Sequence, residues 1–396
     1  MILFTILKYI RMEVGILPTI FSLLMITKVL GFKVMPNADL FCYAALIIMM
    51  ILFMINQPKQ NGLCGSFIVF LPLALLLASP PAIFNSWARL GLFASLFIVV
   101  SPLIQSEFAI RFRKGTLSIT LWLCWIIATV SFVGFFVGIN MMRNFDGELQ
   151  LVTVSSTFGG ITSHSMLLGP VSGIGALFMA FRAMYYKKYI YWIFVIPCIG
   201  SMMFASSRAA FIAFISGTGI ILYFFSGSKA LFCKRVLSLV VLLMLSYPVW
   251  NFALEGMRSK NERAVEMGEN SRTEKWNLRI NEFKEKPITG YGFVAVDPRY
   301  DNVGPGGVIE PGSSWLAVLS MTGILGFIIF CTIMWKAFQN SVRYHTPMGA
   351  LLGACLTMMA VHMFAEGHVF SGGSYLCFLV WLIVGCATDY KPRVKS

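Results

Sequence analysis

The sequence predicts an all-α integral membrane protein in which about twelve helices cross the bilayer. Of its 396 residues, 58% are hydrophobic and only 12% are charged, whereas about a quarter of the residues are charged in an average soluble domain. A soluble fold of this length could not cover its surface with so few polar side chains. The apolar residues are also grouped into runs of about twenty, the length that crosses the hydrocarbon core as a helix. A helix satisfies its own backbone hydrogen bonds in lipid, so these runs predict helices.

The predicted spans divide the chain into three parts. Residues 1–254 hold the first nine spans, residues 255–313 form one large loop, and residues 314–396 hold the last three spans and a tail. A tight turn is predicted at Ser206-Ser207-Arg208, because this polar cluster lies in the middle of an apolar stretch too long for one crossing. The spans are residues 13–31, 39–56, 63–79, 88–107, 116–139, 166–184, 189–206, 209–226, 236–254, 314–335, 347–365 and 374–389.

Basic residues are unevenly distributed between the two sides of the membrane that these spans define. If the N-terminus is cytoplasmic, most basic residues of the short connections are also cytoplasmic, and the outer short connections hold only Lys28, Lys33, Arg89, Arg143 and Arg208. Basic residues near helix ends stay in the cytoplasm, so both termini are expected there and the large loop is expected outside. The net charge of +14 then follows from topology, and no nucleic-acid partner is needed to explain it.

The nine cysteines lie in or beside the predicted spans, and none falls in the large loop. Their spacing matches neither a metal site nor a disulfide framework, so we interpret them as small apolar residues. We expect no metal ion and no cofactor.

The large loop contains a predicted amphipathic helix. Ser271 and Glu274 form a capping-box pattern at its start, and a proline follows Lys286 at its end. Arg272, Trp276, Arg279 and Phe283 recur at offsets of four, three and four, which places two arginines and two aromatic side chains on one face.

Two interpretations of this helix stay open. In the first, it lies on the lipid headgroups, with its aromatic residues as anchors and its arginines on phosphates. In the second, the arginines point into a cavity and bind an anionic substrate group, because the guanidinium fork matches phosphate geometry.

Several short segments of the chain together resemble the O-antigen ligase and O-antigen polymerase superfamily. They are Arg272-x-x-x-Trp276, Pro287-Ile288-Thr289-Gly290-Tyr291-Gly292-Phe293, Ser313-Ser314-Trp315-Leu316, Thr322-Gly323-Ile324-Leu325-Gly326, Ser207-Arg208-Ala209-Ala210 and Thr162-Ser163-His164-Ser165. Each is short, but their order is that of the family, and the similarity covers roughly residues 150–390.

The resemblance implies a membrane glycosyltransferase of the GT-C type in the bacterial inner membrane, with its active site facing the periplasm. Such enzymes take a glycan from an undecaprenyl-diphosphate carrier without a metal and join it to a saccharide hydroxyl. The acceptor is lipid A–core in ligases and the next lipid-linked repeat unit in polymerases. By motif, Arg208 and Arg272 are expected to bind the diphosphate leaving group, and the helix spacing adds Trp276 and Arg279 as candidate substrate-binding residues.

One position departs from the ligase pattern. Ligases carry a histidine where this chain has Gly312. Glu310 and His164 are therefore the candidate bases, although a solvated loop acid and a polar residue at a helix start are their simpler interpretations. The missing histidine favours a polymerase slightly over a ligase.

Glu366 and His368 lie beyond the eleventh predicted span and are candidate substrate-binding residues, because ionisable side chains at this depth usually have a function. The alternative for Glu366 is a structural pair with an arginine such as Arg208. A transporter of lipid-linked substrates and a membrane scaffold remain competing functions, but a transporter normally places charges deep within related halves of the protein.

Overall fold

The computed structural model describes residues 15–55, 60–78, 86–141, 158–245, 272–295 and 312–391. These residues form helices joined by short connections, with two isolated β-bridges and no β-strand among them. The helices are α1 (Ile16–Ile26), α2 (Ala38–Ile55), α3 (Gly62–Leu76), α4 (Ser86–Val100), α5 (Glu107–Phe136), α6 (Ser165–Tyr186), α7 (Ile190–Ile193), α8 (Val195–Phe204), α9 (Arg208–Phe225), α10 (Lys229–Leu245), α11 (Arg272–Glu285), α12 (Ser314–Arg343), α13 (Pro347–His362) and α14 (Tyr375–Thr388).

Within these ranges, five helices are long and apolar enough to cross a membrane, namely α2, α5, α6, α9 and α12. Shorter apolar helices lie between and after them, including α3, α4, α13 and α14. The prediction of an all-helical, multi-pass membrane protein is therefore confirmed in its coarse form. The count of twelve spans and the division at residues 254 and 313 stay predictions.

Helix α14 lies at the centre of the bundle, where it packs against α4, α5, α12 and α13. Its residues from Tyr375 to Ala387 are all buried, and the Trp381 ring lies 4.6 Å from the Phe97 ring, centroid to centroid. By contrast, α2 exposes large apolar side chains such as Ile48, which is 56% exposed. A buried centre with an apolar outer surface is the arrangement expected of a protein surrounded by lipid.

Helices α9 and α13 run in opposite directions and pack closely, and a glycine permits the approach. A Cβ atom added at Gly217 would lie 2.8 Å from the carbonyl oxygen of Ala354 and 3.3 Å from the Cβ of Met358. Small residues at such crossings let helix backbones approach in a membrane. The antiparallel packing places Arg208, which begins α9, at the same end of the bundle as His362, which ends α13.

Two of the differences between the helices and the predicted spans have clear local causes. The span predicted at 189–206 is divided into α7 and α8, because Pro197 has no N–H and its ring clashes with a continuous helix at the carbonyl of Ile193, where α7 ends. Helix α5 begins at Glu107, nine positions before the predicted 116, because the Ser106 side chain accepts a hydrogen bond from Ala109 N at 3.2 Å and caps the helix.

The early start of α5 brings Arg113 into the bundle instead of leaving it in a connection. Its side chain is fully buried and paired with the equally buried Asp389, which lies just after α14. Arg113 Nε donates to Asp389 Oδ2 at 2.8 Å, and Arg113 Nη2 also donates to the carbonyl of Ile104 at 2.8 Å. This ion pair joins the start of α5 to the end of α14.

Helix α12 is broken at Gly323, and the segment that follows α11 fills the break. Gly323 has φ +62° and ψ −169°, which is not helical. Tyr291 N donates to the carbonyl of Ser320 at 2.8 Å and Gly292 N to that of Met321 at 2.9 Å. In the other direction, Ile324 N donates to the carbonyl of Pro287 at 2.8 Å.

We call residues 287–295 the inserted segment. Non-helical backbone at membrane depth is tolerated only where the protein itself satisfies it, and here the segment and the broken helix satisfy each other. Phe293 at its end is completely buried and packs on Phe93 and Phe370, with ring centroids 5.5 and 5.1 Å apart. The two glycine-rich motifs in the sequence are therefore two halves of one structural element.

Candidate functional site

The predicted functional residues that lie within the described ranges gather at one end of the bundle, which we call the site end. Helices α9, α12 and α14 begin there and α13 ends there. Ser314 N donates to the carbonyls of Met363 and Glu366, at 2.8 and 3.0 Å, and joins the start of α12 to the end of α13. Helix α6 also begins at the site end, because a Cβ atom added at Gly169 would lie 2.9 Å from the Cβ of Ser207.

Arg272 and Glu366 form an ion pair at the site end, with Arg272 Nη2 2.5 Å from Glu366 Oε1. The carboxylate is almost buried, with 12% of the Glu366 side chain exposed, whereas 47% of the Arg272 side chain is exposed. The buried acid thus holds one edge of the guanidinium group while much of the arginine side chain remains accessible. A guanidinium group fixed in this way can still donate to an anionic ligand.

The connection between α13 and α14 is held in place by Ser314. Its hydroxyl donates to the carbonyl of Glu366 at 2.7 Å and accepts from His368 N at 2.9 Å and Val369 N at 3.3 Å. A buried hydroxyl that bonds three backbone groups fixes the path of the chain around it. The Ser-Ser-Trp motif therefore positions Glu366 and His368.

His368 and His362 lie beside this connection as a buried pair, with ring centroids 5.4 Å apart. His362 is 1% exposed and His368 5% exposed, and no ring nitrogen of either has a hydrogen-bond partner within the described part of the chain. Burial lowers the pKa of His368 to about 3, because the charged imidazolium is disfavoured away from water. His368 is therefore neutral near pH 7.

Arg279 and Trp276, on the loop helix α11, have partners within the protein. Arg279 is 2% exposed, and its Nη1 lies 2.8 Å from Oε2 of the equally buried Glu282. Trp276 is 38% exposed and donates from Nε1 to the carbonyl of Gly312 at 3.1 Å, which attaches α11 to the start of α12. The sequence spacing predicts Arg272 and Arg279 on the same face of this helix. In the structure their environments differ, because Arg272 is exposed and Arg279 is buried. The substrate-binding roles of Trp276 and Arg279 stay predictions.

Gly312, at the position where ligases carry histidine, has a backbone that suits glycine. Its φ is +68°, and an added Cβ atom would lie 2.9 Å from the Cβ of Lys275 and 3.5 Å from Cδ1 of Trp276. L-residues rarely adopt this conformation. The departure from the ligase motif is therefore accompanied by a local backbone into which a histidine does not fit without strain.

Arg208 and His164 each begin a helix at the site end. Arg208 is exposed and follows Ser207, whose side chain accepts from Ala210 N at 3.4 Å. His164 Nδ1 accepts from Met166 N at 3.1 Å and caps α6, so any proton transfer by this residue falls to Nε2. Glu310, the other candidate base, lies outside the described residues, as does Ser271.

A cavity of about 500 Å³ has Gly367 in its wall. We call it the α2–α4 cavity, because Tyr43 of α2 and Arg89 of α4 contribute to its wall. Val294 of the inserted segment, Ala317 and Met321 of α12, and residues 369–374 complete the lining together with Leu92 and Gly367. Gly367 directly follows Glu366 in the chain. Binding sites for small ligands typically have volumes of about 300–1,000 Å³.

Residues 193–331, from the end of α7 to within α12, match the family model described as O-antigen ligase. The predicted relationship to the O-antigen ligase and polymerase superfamily is confirmed. Members of this superfamily are membrane enzymes that transfer glycans. The match includes Arg208, Arg272 and the inserted segment, whereas Glu366 and His368 lie beyond it. No curated protein matches the chain.

The sequence did not single out His362, Arg89 or Tyr43. His362 ends an apolar helix, and its only signal was a histidine near a predicted span boundary. Arg89 was counted among the basic residues of the outer connections, and its place in a cavity depends on packing between α2, α4 and the α13–α14 connection.

Proposed function

We propose that this protein is a metal-independent glycosyltransferase that moves a glycan from an undecaprenyl-diphosphate carrier to a saccharide hydroxyl. The proposal depends mainly on Arg272, whose half-exposed guanidinium group is held by a nearly buried Glu366 at the site end. An oriented arginine with remaining donors is suited to a diphosphate leaving group, which gains negative charge as its bond to the sugar breaks.

In this mechanism the acceptor hydroxyl oxygen bonds to the anomeric carbon of the donor, and the bond from that carbon to the phosphate oxygen breaks. Arg272 stabilises the departing diphosphate, and Arg208, exposed at the start of α9, is its proposed second cation. The hydroxyl proton passes to a base, for which Glu310 and His164 Nε2 are the candidates. Because arginines supply the positive charge, turnover by the purified protein should continue in EDTA, and recovery only on adding a divalent ion would contradict this part of the proposal.

We further propose a surface-polysaccharide polymerase in the bacterial inner membrane, acting at the periplasmic face. The positive φ and close surroundings of Gly312 favour this choice, since they leave no unstrained place for the histidine of the ligase motif. The proposed substrates are the lipid-linked oligosaccharide donor and a lipid-linked repeat unit. A ligase that uses lipid A–core is the second candidate, favoured by the description of the matching family model.

The polymer profile of a strain that lacks the protein tests both candidates. Loss of a polymerase leaves single repeats joined to lipid A–core, whereas loss of a ligase leaves long chains on the carrier lipid. Wild-type protein should restore the normal profile and Arg272→Ala should not. A transporter predicts a third outcome, in which lipid-linked repeats remain in the cytoplasmic leaflet, and that result would exclude the glycosyltransferase proposal.

A further inference from the structure

The α2–α4 cavity is not needed to explain how one diphosphate is held by Arg272. Its wall includes Gly367, and the preceding Glu366 holds Arg272. A ligand in the cavity would therefore contact the residue that directly follows Glu366. This position suits a second substrate.

The charge of the cavity indicates the kind of ligand. Among its described lining residues, Arg89 carries the only formal charge, and none is acidic. The Lys28 ammonium lies 4.2 Å from the centroid of the Tyr43 ring and is paired with Asp39, and neither residue is part of the cavity lining. Arg89 therefore gives the described lining a positive formal charge, and a guanidinium group has several donors that suit a phosphate ester.

The remaining lining suits a saccharide attached to that phosphate. Ser371, Ser374 and the backbone of Gly373 offer hydrogen-bonding groups near the Tyr43 hydroxyl, from which a Cβ atom added at Gly373 would lie 3.4 Å. The floor is apolar, formed by residues such as Met321, and can pack on the C–H face of a sugar ring. A sugar ring presents hydroxyl groups to the first kind of surface and C–H groups to the second, so this lining suits a saccharide.

The wall formed by the α13–α14 connection is rigid. Trp381 Nε1 donates to the carbonyl of Val369 at 3.1 Å, and Ser374 N donates to the carbonyl of Ser371 at 2.7 Å. At Gly372, an added Cβ atom would lie 2.7 Å from the backbone nitrogen of Phe93, so α4 and this wall are in close contact. A preformed wall lowers the entropic cost of binding.

We propose that the α2–α4 cavity is the acceptor subsite, where Arg89 binds the diphosphate of a second lipid-linked saccharide. This inference rests on the proposed polymerase function, because a polymerase joins two molecules that each carry a diphosphate. One diphosphate leaves at Arg272. The other stays bonded to its sugar throughout the reaction, so Arg89 acts by binding alone and no bond breaks there.

The experiment measures ligand binding in the cavity directly. The exposed Ser371 lines the cavity, and Ser371→Cys introduces a thiol there after exposed Cys233 and half-buried Cys331 are replaced, since the other seven cysteines are buried. A polyprenyl diphosphate should protect this thiol from a maleimide in the purified protein in nanodiscs. Arg89→Ala should raise the concentration that gives half protection by about tenfold or more.

Matched variants separate the outcomes. Arg111→Ala removes an arginine from an exposed pair on α5, and Arg272→Ala removes one from the proposed leaving-group site; neither should change protection at residue 371. Arg89→Gln replaces Arg89→Ala if the alanine variant does not fold. Equal protection with and without Arg89 would overturn the subsite, and so would equal protection by phosphatidylglycerol vesicles, which would identify a phospholipid site.

A kinetic measurement links the cavity to the reaction. Arg89→Ala should raise the KM for a diphosphate-linked acceptor and leave the KM for a phosphate-free acceptor saccharide unchanged, because only the former contacts Arg89. An equal loss with both acceptors would contradict the inference. If wild-type protein transfers no glycan at all, the proposed function fails, whereas Arg89-dependent protection would still establish a diphosphate site.

Discussion

Tyr291 donates its backbone N–H to the carbonyl of Ser320, across the break that Gly323 makes in α12. This bond and its neighbours replace helical hydrogen bonds that α12 lacks at the break. The inserted segment also contributes Val294 to the α2–α4 cavity. The geometry of the broken helix therefore contributes to the geometry of the candidate site.

Replacing either glycine at the break should destabilise the protein. A Cβ atom added at Gly323 would lie 2.3 Å from the carbonyl oxygen of Ile288, and one added at Gly290 would lie 2.5 Å from Gly323 N. Both positions also have positive φ, so alanine should cost about 1–3 kcal/mol. Thermal melting of the purified variants checks this. Gly219→Ala is the control, because a Cβ atom there meets nothing within 4 Å and its melting temperature should hardly change.

Replacing Arg272 should lower activity far more than stability. Arg272→Ala should reduce glycan transfer by two to three orders of magnitude, about 3–4 kcal/mol, since the developing charge on the leaving group loses a donor. Arg272→Lys should also lose activity, because a lysine lacks the planar fork. Arg208→Ala should behave similarly, and the double variant should lose less than the product of both single losses. Near-normal transfer by correctly folded Arg272→Ala would remove this residue from the site.

The buried His368 should make stability depend on pH. Its pKa is lowered from 6.5 to about 3 by burial, so between these values the unfolded chain binds a proton that the native chain does not. Stability should be highest above pH 6.5 and fall as the pH decreases through this window. His362, Arg272 and Glu366 lie nearby, so His368→Leu is compared with wild type from pH 7.5 to 5.0. A smaller decrease in melting temperature is expected for the variant, and identical curves would contradict the assignment.

The buried ion pair between Arg113 and Asp389 should contribute more to the stability of the protein than an ion pair on the surface. Asp389→Asn leaves a buried guanidinium group without its counter-charge, which typically costs about 3–5 kcal/mol. The matched control is Glu107→Gln, which breaks the exposed Glu107–Arg111 pair and should cost about 1 kcal/mol or less. Thermal melting distinguishes the two cases, and equal shifts would show that Arg113 finds another partner.

The local elements were predicted from the sequence because their causes are local. The apolar runs predicted most of the helices, the polar cluster at residues 206–208 predicted the turn between α8 and α9, and Pro287 predicted the end of the loop helix. The partner of Glu366 was not predictable in this way. A structural pair with an arginine such as Arg208 was one of two open interpretations, and the structure shows an ion pair with Arg272, which is 94 positions away in sequence.

The inserted segment shows the same limit more clearly. The motifs that contain Gly290, Gly292 and Gly323 were recognised in the sequence, but nothing in their spacing indicates that the first motif fills a break in the helix that contains the second. The α2–α4 cavity was also missed, because it is formed by parts of five separated segments.

The break in α12 also has a consequence for how the chain is made. Residues 287–292 are translated before Ser320 and Met321 exist, so the segment cannot dock while it is being synthesised. When α12 first enters the membrane, its carbonyls at Ser320 and Met321 still lack their donors, and exposed backbone groups are costly in lipid. Biogenesis should therefore include a late step in which an already translated segment returns to the helix, and chains that stop just before α12 should remain open to proteolysis between residues 286 and 295.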